Sequence, residues 1–309
     1  MQLTARRMKI VHSPHMMTAW SLRLKREGVT VGFVPTMGAL HDGHRALIRA
    51  ARLRCDALVV SIFVNPTQFG PTEDLTQYPR PLANDRRLCR EEGVDLCFEP
   101  SVAAMYPEGF QTTIAVPAIA RRWEGEVRPH HFAGVATVVT KLFGMVRPDI
   151  ALFGQKDYQQ AALIRRLVKD LNMGVEIIVY PTVREKDGLA MSSRNVYLSP
   201  EQRTIAATLY KSLRAGAEVM RKGTTDVQAI QSAMATTIEQ TSILTVDYLA
   251  VCDPLSLDPL SSVVSRAVLL GAVRLGSVRL IDNLVVVAPR TGMEQRVRRR
   301  HSPARPTST

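Results

Sequence analysis

The stretch V-G-F-V-P-T-M-G-A-L-H-D-G-H-R-A-L-I-R-A-A-R-L, residues Val31 to Leu53, reads as a buried strand, a turn and a helix in succession. Its first residues are short, apolar and β-branched, as a covered strand requires. Pro35-Thr36-Met37-Gly38 is rich in chain breakers, and Leu47, Ile48, Ala51 and Leu53 follow at helical spacing. A helix starting near Asp42, a good capping residue, places His41 and His44 in or beside its first turn. Their spacing of three residues sets them on one side. Unpaired N–H groups and the positive dipole end attract phosphate there. Two imidazoles add donors to that end, and Gly43 leaves room for a ligand against the backbone. A bare H-x-G-H also reads as two surface histidines beside a cap. The buried strand and P-T-M-G turn before it favour nucleotide chemistry.

Outward from this unit, strands and helices alternate. A strand is expected around Lys9 to Val11 and a helix from Met16 to Glu27, closed by Gly28. Ala57 to Val64 is almost continuously apolar, as in a strand covered on both faces. It runs into Asn65-Pro66-Thr67-Gln68, where Asn65 and Gln68 read either as ligand contacts at a strand end or as an Asx-type turn. A helix is expected over Pro79 to Glu92, then strands at Leu96 to Phe98 and Thr112 to Val116. A helix from Gly134 to Val146 follows, then a strand, Ile150 to Phe153, opening into Gly154-Gln155-Lys156-Asp157-Tyr158-Gln159-Gln160. A further helix to Asp170 and a strand over Val175 to Tyr180 complete a parallel, doubly wound α/β sheet.

After Pro181 the composition shifts, through Met191-Ser192-Ser193-Arg194-Asn195 to two helices (Pro200 to Arg221, Asp226 to Gln240). Three strands follow: Val246 to Cys252, Arg266 to Val273 and Arg279 to Val287. The expected layout is therefore a main domain over 1–182, a small C-terminal α+β lid domain over 183–290, and a basic, disordered tail over 291–309.

A chain of 309 residues can bury two cores. Part of the formal charge of +12 is local to the tail, where Arg296, Arg298, Arg299, Arg300 and Arg305 face only Glu294. Without interleaved aromatics or a known module, that charge does not specify a nucleic-acid partner. Cys55, Cys89, Cys97 and Cys252 form no C-x-x-C pair, which fits reduced thiols in the cytoplasm. No apolar run reaches the roughly 20 residues of a membrane span, and no apolar signal segment follows the first charges. P-loop and G-x-G-x-x-G fingerprints are absent, as are zinc spacings. Taken singly, Lys156 also reads as a surface cation, Asp157 as a helix cap, Gln160 as one polar face of a helix, and Ser192 to Arg194 as a loop. Together the polar clusters supply what a nucleoside triphosphate needs: imidazoles, an ammonium, hydroxyls, a guanidinium and a helix end.

The blocks V-P-T-M-G-A-L-H-D-G-H, V-S-I-F-V-N-P-T-Q-F, E-D-L-T-Q-Y-P-R, H-F-A-G-V-A-T-V-V-T-K-L-F, F-G-Q-K-D-Y-Q-Q and D-G-L-A-M-S-S-R-N occur in order between Val31 and Leu198. In these the chain resembles the pantoate–β-alanine ligases, of the H-x-G-H nucleotidyl-transfer superfamily with its Rossmann-like architecture. M-S-S-R resembles that superfamily's second signature, K-M-S-K-S. The resemblance implies a two-step reaction: adenylation of pantoate by ATP with loss of pyrophosphate, then attack by the amine of β-alanine with release of AMP.

By position, the resemblance implies that His41, His44 and Lys156 act on the phosphates, while Ser192, Ser193 and Arg194 grip the β and γ groups. It assigns Gly154 and Asp157 to the ribose and the backbone around Val183 and Met191 to the adenine. Gln68 and Gln160 would bind pantoate, with Met37 where the two sites meet and Asn65 near the phosphates. Arg128 would stand close to the second-step site, and the acidic segment Glu73 to Asp85 would act as a gate. Magnesium would bridge the phosphates, with Asp85 its one candidate protein ligand, and a homodimer is implied. Asn84 stands where relatives commonly carry an acid, Gln155 where Glu is common, and Pro81 where Thr is usual. Two rivals remain at this stage, another adenylate-forming H-x-G-H enzyme and a nucleic-acid-binding protein.

Overall fold

A computed structural model describes residues 8–71 and 73–289 of the protein. The tail over 291–309 lies outside the described residues. The chain forms two compact units, which divide between Ser199 and Pro200.

The first unit is built on strands β1 (Lys9–Val11), β2 (Val31–Thr36), β3 (Ala57–Ile62), β4 (Leu96–Phe98), β5 (Ile150–Gly154) and β6 (Glu176–Tyr180). Its helices are α1 (Pro14–Arg26), α2 (Asp42–Arg52), α3 (Leu82–Glu91), the short α4 (Val102–Met105), α5 (Pro117–Ala120) and α6 (Glu124–Val127), then α7 (His131–Val146) and α8 (Tyr158–Asp170). The six strands are all parallel, in the order β1-β4-β3-β2-β5-β6. This is the doubly wound sheet expected from the alternation. From β2 the chain winds through β3 and β4 in one direction, and β5 and β6 extend the sheet in the other. The order reverses between β2 and β5, and such a reversal opens a crevice outside the carboxyl ends of the strands.

The core explains why these segments are strands. Val34, Leu58, Val60, Cys97 and Leu152 pack with Leu47, Ile48 and Ala51 of α2 and with Leu88 and Cys89 of α3. Ile48 is fully buried, and truncating such a residue to alanine costs about 2–5 kcal/mol. Outside the core, α2 and α3 are tied by Arg45 and Arg49, which both donate to the carboxylate of Glu92 at 2.6–2.9 Å. The start of α2 therefore stands on a fixed base.

In the first unit two expectations change. Thr112 to Val116 is not a strand: the N–H of Ile114 donates to the hydroxyl of Thr137 at 2.9 Å instead of entering a ladder. The unit boundary falls at 199, not 182, because the segment after Pro181 is bonded to the first unit. Ser193 donates to the carbonyl of Ala39 at 3.1 Å, Arg194 pairs with Asp74, and Tyr197 donates to the carbonyl of Gln77 at 2.9 Å. A shift in composition marked the end of the sheet and not the end of the unit.

The second unit holds α9 (Pro200–Ala206), α10 (Thr208–Arg221) and α11 (Val227–Glu239), followed by β7 (Leu244–Cys252), β8 (Arg266–Leu275) and β9 (Val278–Val287). The strands form an antiparallel sheet in sequence order. Leu213, Ala217 and Met220 of α10 and Ile230 and Met234 of α11 share one core with Val251, Leu269 and Val286 of the sheet. The single helix expected over Pro200 to Arg221 is two helices, meeting at Ala207.

Candidate active site

The turn after β2 is the starting point. Thr36 donates to the carbonyl of Ser61 at 2.7 Å and accepts the N–H of Gly38 at 3.1 Å. Gly38 and Ala39 both have positive φ, 85° and 50°, a conformation that favours glycine at the first of them. A Cβ on Gly38 would lie 3.0 Å from both Asp85 Oδ2 and Ile62 Cγ2. Asp85, 2 % exposed, holds the turn from the other side. Its two oxygens accept the N–H groups of Ala39 and Leu40 at 2.9 and 2.8 Å. Both oxygens of this candidate metal ligand are thus engaged by backbone, and among the described residues no group of three or more His, Cys, Asp or Glu side chains could hold a metal ion.

This clamp delivers the chain to His41, which caps α2 in place of Asp42. The Nδ1 of His41 accepts the N–H of Gly43 at 3.1 Å, and the Nδ1 of His44 accepts the N–H of His41 at 3.3 Å. The rings lie 4.2 Å apart between centroids. In this reciprocal box each Nδ1 is an acceptor, so the proton of each neutral ring sits on Nε2. Both rings are kept neutral. Burial first, then the charge of Lys156, lowers His41 to about 4. Burial first, then His41, lowers His44 to about 3. Gly43 also answers a constraint within the turn itself. A Cβ there would fall 2.8 Å from Cε1 of His41, so the bare backbone makes room for the imidazole.

Across the switch point, β5 ends at Gly154, and Lys156 and Asp157 follow at the start of α8. Lys156 Nζ lies 3.5 Å from Asp157 Oδ1. Both residues act electrostatically on both histidines, so the two strand ends converge on one place. Burial opposes ionisation of Asp157, but Lys156 and Arg194 outweigh it and hold the carboxyl below its ordinary value. No neighbour would meet a Cβ on Gly154, which faces open space. Gln160 is half-buried, whereas Gln159 is consumed by structure: it accepts from the N–H of Glu124 and donates to the carbonyls of Ile119 and Arg122.

The M-S-S-R segment closes on the same turn. Met191 N–H donates to the carbonyl of Val183 at 3.0 Å, bringing the two expected adenine neighbours together. Ser192 accepts the N–H of Arg194 at 3.3 Å, and Ser193 bonds to Ala39. Arg194 places Nε and Nη2 on the two oxygens of Asp74, each at 2.8 Å, above the ring of Tyr78.

After β3, Asn65 is 1 % exposed and its amide faces protein. Its Oδ1 accepts from the hydroxyls of Tyr106 and Thr67 at 2.8 and 3.0 Å, and its Nδ2 donates to Gln68 Oε1 and to the carbonyl of Gly134, both at 3.2 Å. Asn65 is thus a support, and Gln68 the group it aims. With Oε1 committed to Asn65, Gln68 turns its NH2 toward Met37, where Nε2 lies 2.9 Å from Sδ. His131 Nδ1 donates to the carbonyl of Gln68 at 2.9 Å, and Arg128 donates to the same carbonyl at 3.2 Å while its guanidinium pairs with Glu73. Sequence reasoning assigned no role to Tyr106 or His131, and placed Asp74 only within the gate segment, without its arginine partner. The consecutive acids Glu73-Asp74, in a chain with surplus arginine, were the available signal.

The sequence model of the pantoate-beta-alanine ligase family matches residues 9–285. The pantothenate synthetase of Heliobacterium modesticaldum is 49 % identical over 279 residues, covering 90 % of this chain and 99 % of that protein. The crystal structure of pantothenate synthetase from Thermus thermophilus superposes with a TM-score of 0.86 at 49 % identity, covering 90 % of this chain and 99 % of that one. A pantoate-beta-alanine ligase from Francisella tularensis, solved in complex with beta-gamma ATP and beta-alanine, gives 0.75 at 36 % identity, covering 90 % and 98 %. A match over nearly the whole described chain, with the H-x-G-H turn at the switch point of its sheet, means that the chain belongs to the pantoate–β-alanine ligase family.

Proposed function

We propose that this chain condenses pantoate with β-alanine at the expense of ATP, forming an amide and releasing AMP and pyrophosphate. One observation carries the reading: the ends of β2 and β5 bring two Nε2–H imidazoles and Lys156 together beside a helix N-terminus. That arrangement suits a transferring phosphoryl group and needs no covalent nucleophile from the protein.

In the first step a pantoate carboxylate oxygen bonds to the α-phosphorus of ATP. The bond from that phosphorus to the bridging oxygen breaks, and pyrophosphate leaves. His41 and His44 donate Nε2–H groups to the oxygens where charge builds, and Lys156 supplies a positive charge. Ser192, Ser193 and Arg194 receive the β and γ groups, Gly154 and Asp157 the ribose, and the backbone of Val183 and Met191 the adenine. Gln68, aimed by Asn65, and Gln160 hold pantoate beside Met37. In the second step the neutral amine of β-alanine adds to the acyl carbon, AMP leaves, and the amine loses a proton. Arg128 lies beside Gln68 and suits the carboxylate of this second substrate.

Because both Asp85 oxygens are spent on backbone amides, the described residues do not fit a protein-built magnesium cage. Magnesium would enter with the triphosphate and would neutralise part of its charge beside His41, His44 and Lys156. The thiols of Cys55, Cys89, Cys97 and Cys252 are free, which supports work in the cytoplasm. Among the described residues no helix is long and apolar enough to cross a membrane. A homodimer is part of the reading, checked by light scattering of the purified chain.

The test is pyrophosphate release from ATP and magnesium. With pantoate alone a stoichiometric burst is expected. Adding β-alanine should convert it into steady turnover with AMP formation. No release under either condition would overturn the assignment, and a burst with a different acid would move it to another adenylate-forming reaction.

A further inference from the structure

Two consecutive carboxylates each hold one of the arginines assigned above to an anionic substrate. Asp74 receives Arg194 as a fork, Nε to Oδ2 and Nη2 to Oδ1 at 2.8 Å. Glu73 receives Arg128 through Nε at 3.0 Å and through Nη2. The side chains are mostly withdrawn from water: Arg194 is 29 % exposed, Asp74 23 %, Arg128 16 % and Glu73 24 %. In both pairs the guanidinium edge in use is the one that binds a phosphate or carboxylate ligand bidentately. Asp74 is anchored from behind through its backbone. The carbonyl of Asp74 accepts the N–H groups of Gln77 and Tyr78 at 3.1 and 2.7 Å, and Tyr197 holds the carbonyl of Gln77. Burial works against the charge of both acids. The hydrogen bonds and charges of Arg194 and Arg128 win, holding Asp74 and Glu73 below their ordinary values and ionised at neutral pH.

We propose that Glu73 and Asp74 are internal place-holder anions: Asp74 occupies on Arg194 the position of the nucleotide's terminal phosphates, and Glu73 occupies on Arg128 that of the second substrate's carboxylate. The inference rests on the reading of those arginines under the proposed function. Substrates then bind by exchange of one anion for another, and the ligand-free protein never leaves two partly buried arginines unpaired. The exchange discriminates between nucleotides. A triphosphate carries enough charge at the β and γ positions to displace Asp74, whereas AMP has no group there. Asp74 also competes with pyrophosphate for Arg194 once adenylation is complete, and so favours its departure.

The test is calorimetric titration of the full chain with ATP and magnesium, without pantoate. For Asp74→Asn the dissociation constants of ATP and of pyrophosphate should fall by about two- to fivefold, the upper part of the range for removing a partly exposed competing charge. The melting temperature of the ligand-free protein should fall, and its rise on adding ATP should grow. Asp74→Ser replaces this variant if the first does not fold. Unchanged affinity would overturn the proposal, and so would weakened affinity, which would make Asp74 a residue that positions Arg194 for ATP. Arg194→Ala separates the two layers of argument. If it leaves ATP binding unchanged, the placement of the triphosphate is wrong. If it weakens binding while Asp74→Asn does not tighten it, only the place-holder inference fails. Glu73→Gln should lower KM for β-alanine by a similar factor and leave ATP affinity unchanged, and a raised KM for β-alanine would overturn the second half.

Discussion

His41 and His44 owe their chemistry to two backbone amides. Because each Nδ1 accepts an N–H of the first turn of α2, each Nε2 carries the proton and becomes the donor. An alanine at position 44 removes one of these donors and uncaps the N–H of His41. His44→Ala is expected to fold and to lose at least about 100-fold in adenylation rate, in line with removal of a transition-state contact. Lys156→Ala should lose a comparable factor. Single-turnover measurement of pyrophosphate release checks both, and wild-type rates in either would remove that residue from the site. The histidines also write a pH signature on stability. Their folded pKa values, about 4 and about 3, lie below the ordinary 6.5, so the unfolded chain takes up protons first as pH falls. Their contribution is full above pH about 6.5 and is lost as pH falls toward the folded values. Urea titrations at pH about 7 and about 5 should show wild type losing stability, with His44→Asn losing about 1–2 kcal/mol less over that interval. Equal losses would mean that His44 is not held neutral by its surroundings.

The turn between β2 and α2 depends on an element distant in sequence. Asp85, in the first turn of α3, accepts both N–H groups that lead into His41. An asparagine there would set an NH2 against one of those donors. Asp85→Asn should therefore cost about 1–3 kcal/mol in urea unfolding and slow adenylation by displacing the histidine cap. Unchanged stability and rate would show that the turn holds its shape unaided. This dependence explains what the sequence could and could not disclose. Continuous apolar runs made β2, β3 and β5 legible, and breakers marked the strand ends where the site lies. The H-D-G-H spacing likewise disclosed the helix start and the two histidines that stand together there. Asp42 looked like the cap by residue preference, but His41 took the position because its ring reaches the N–H of Gly43. Asn65 looked like a ligand contact by its place at a strand end. Its partners, Tyr106 and Gly134, come from 41 and 69 residues away, and no local pattern announces them. The pairing of Asp74 with Arg194 spans 120 residues and was equally hidden.

At the scale of the whole molecule, the formal charge of +12 is the property most open to a second reading. Residues 291–309 carry five arginines and one glutamate, a net of +4, so the rest of the chain accounts for +8. The family match ends at residue 285, and every residue placed in the site lies between Met37 and Arg194. The charge proposed to act in catalysis is therefore the local set around Lys156, Arg128 and Arg194, and the proposed site draws no residue from 291–309. Deleting 291–309 should leave pantothenate formation within about twofold of wild type while weakening salt-sensitive retention on an anionic matrix, since that retention scales with the number of charges neutralised. A large loss of turnover would place the C-terminal residues in the catalytic cycle. Unchanged retention would instead locate the polyanion-binding charge on the folded units and revive a nucleic-acid partner for the core.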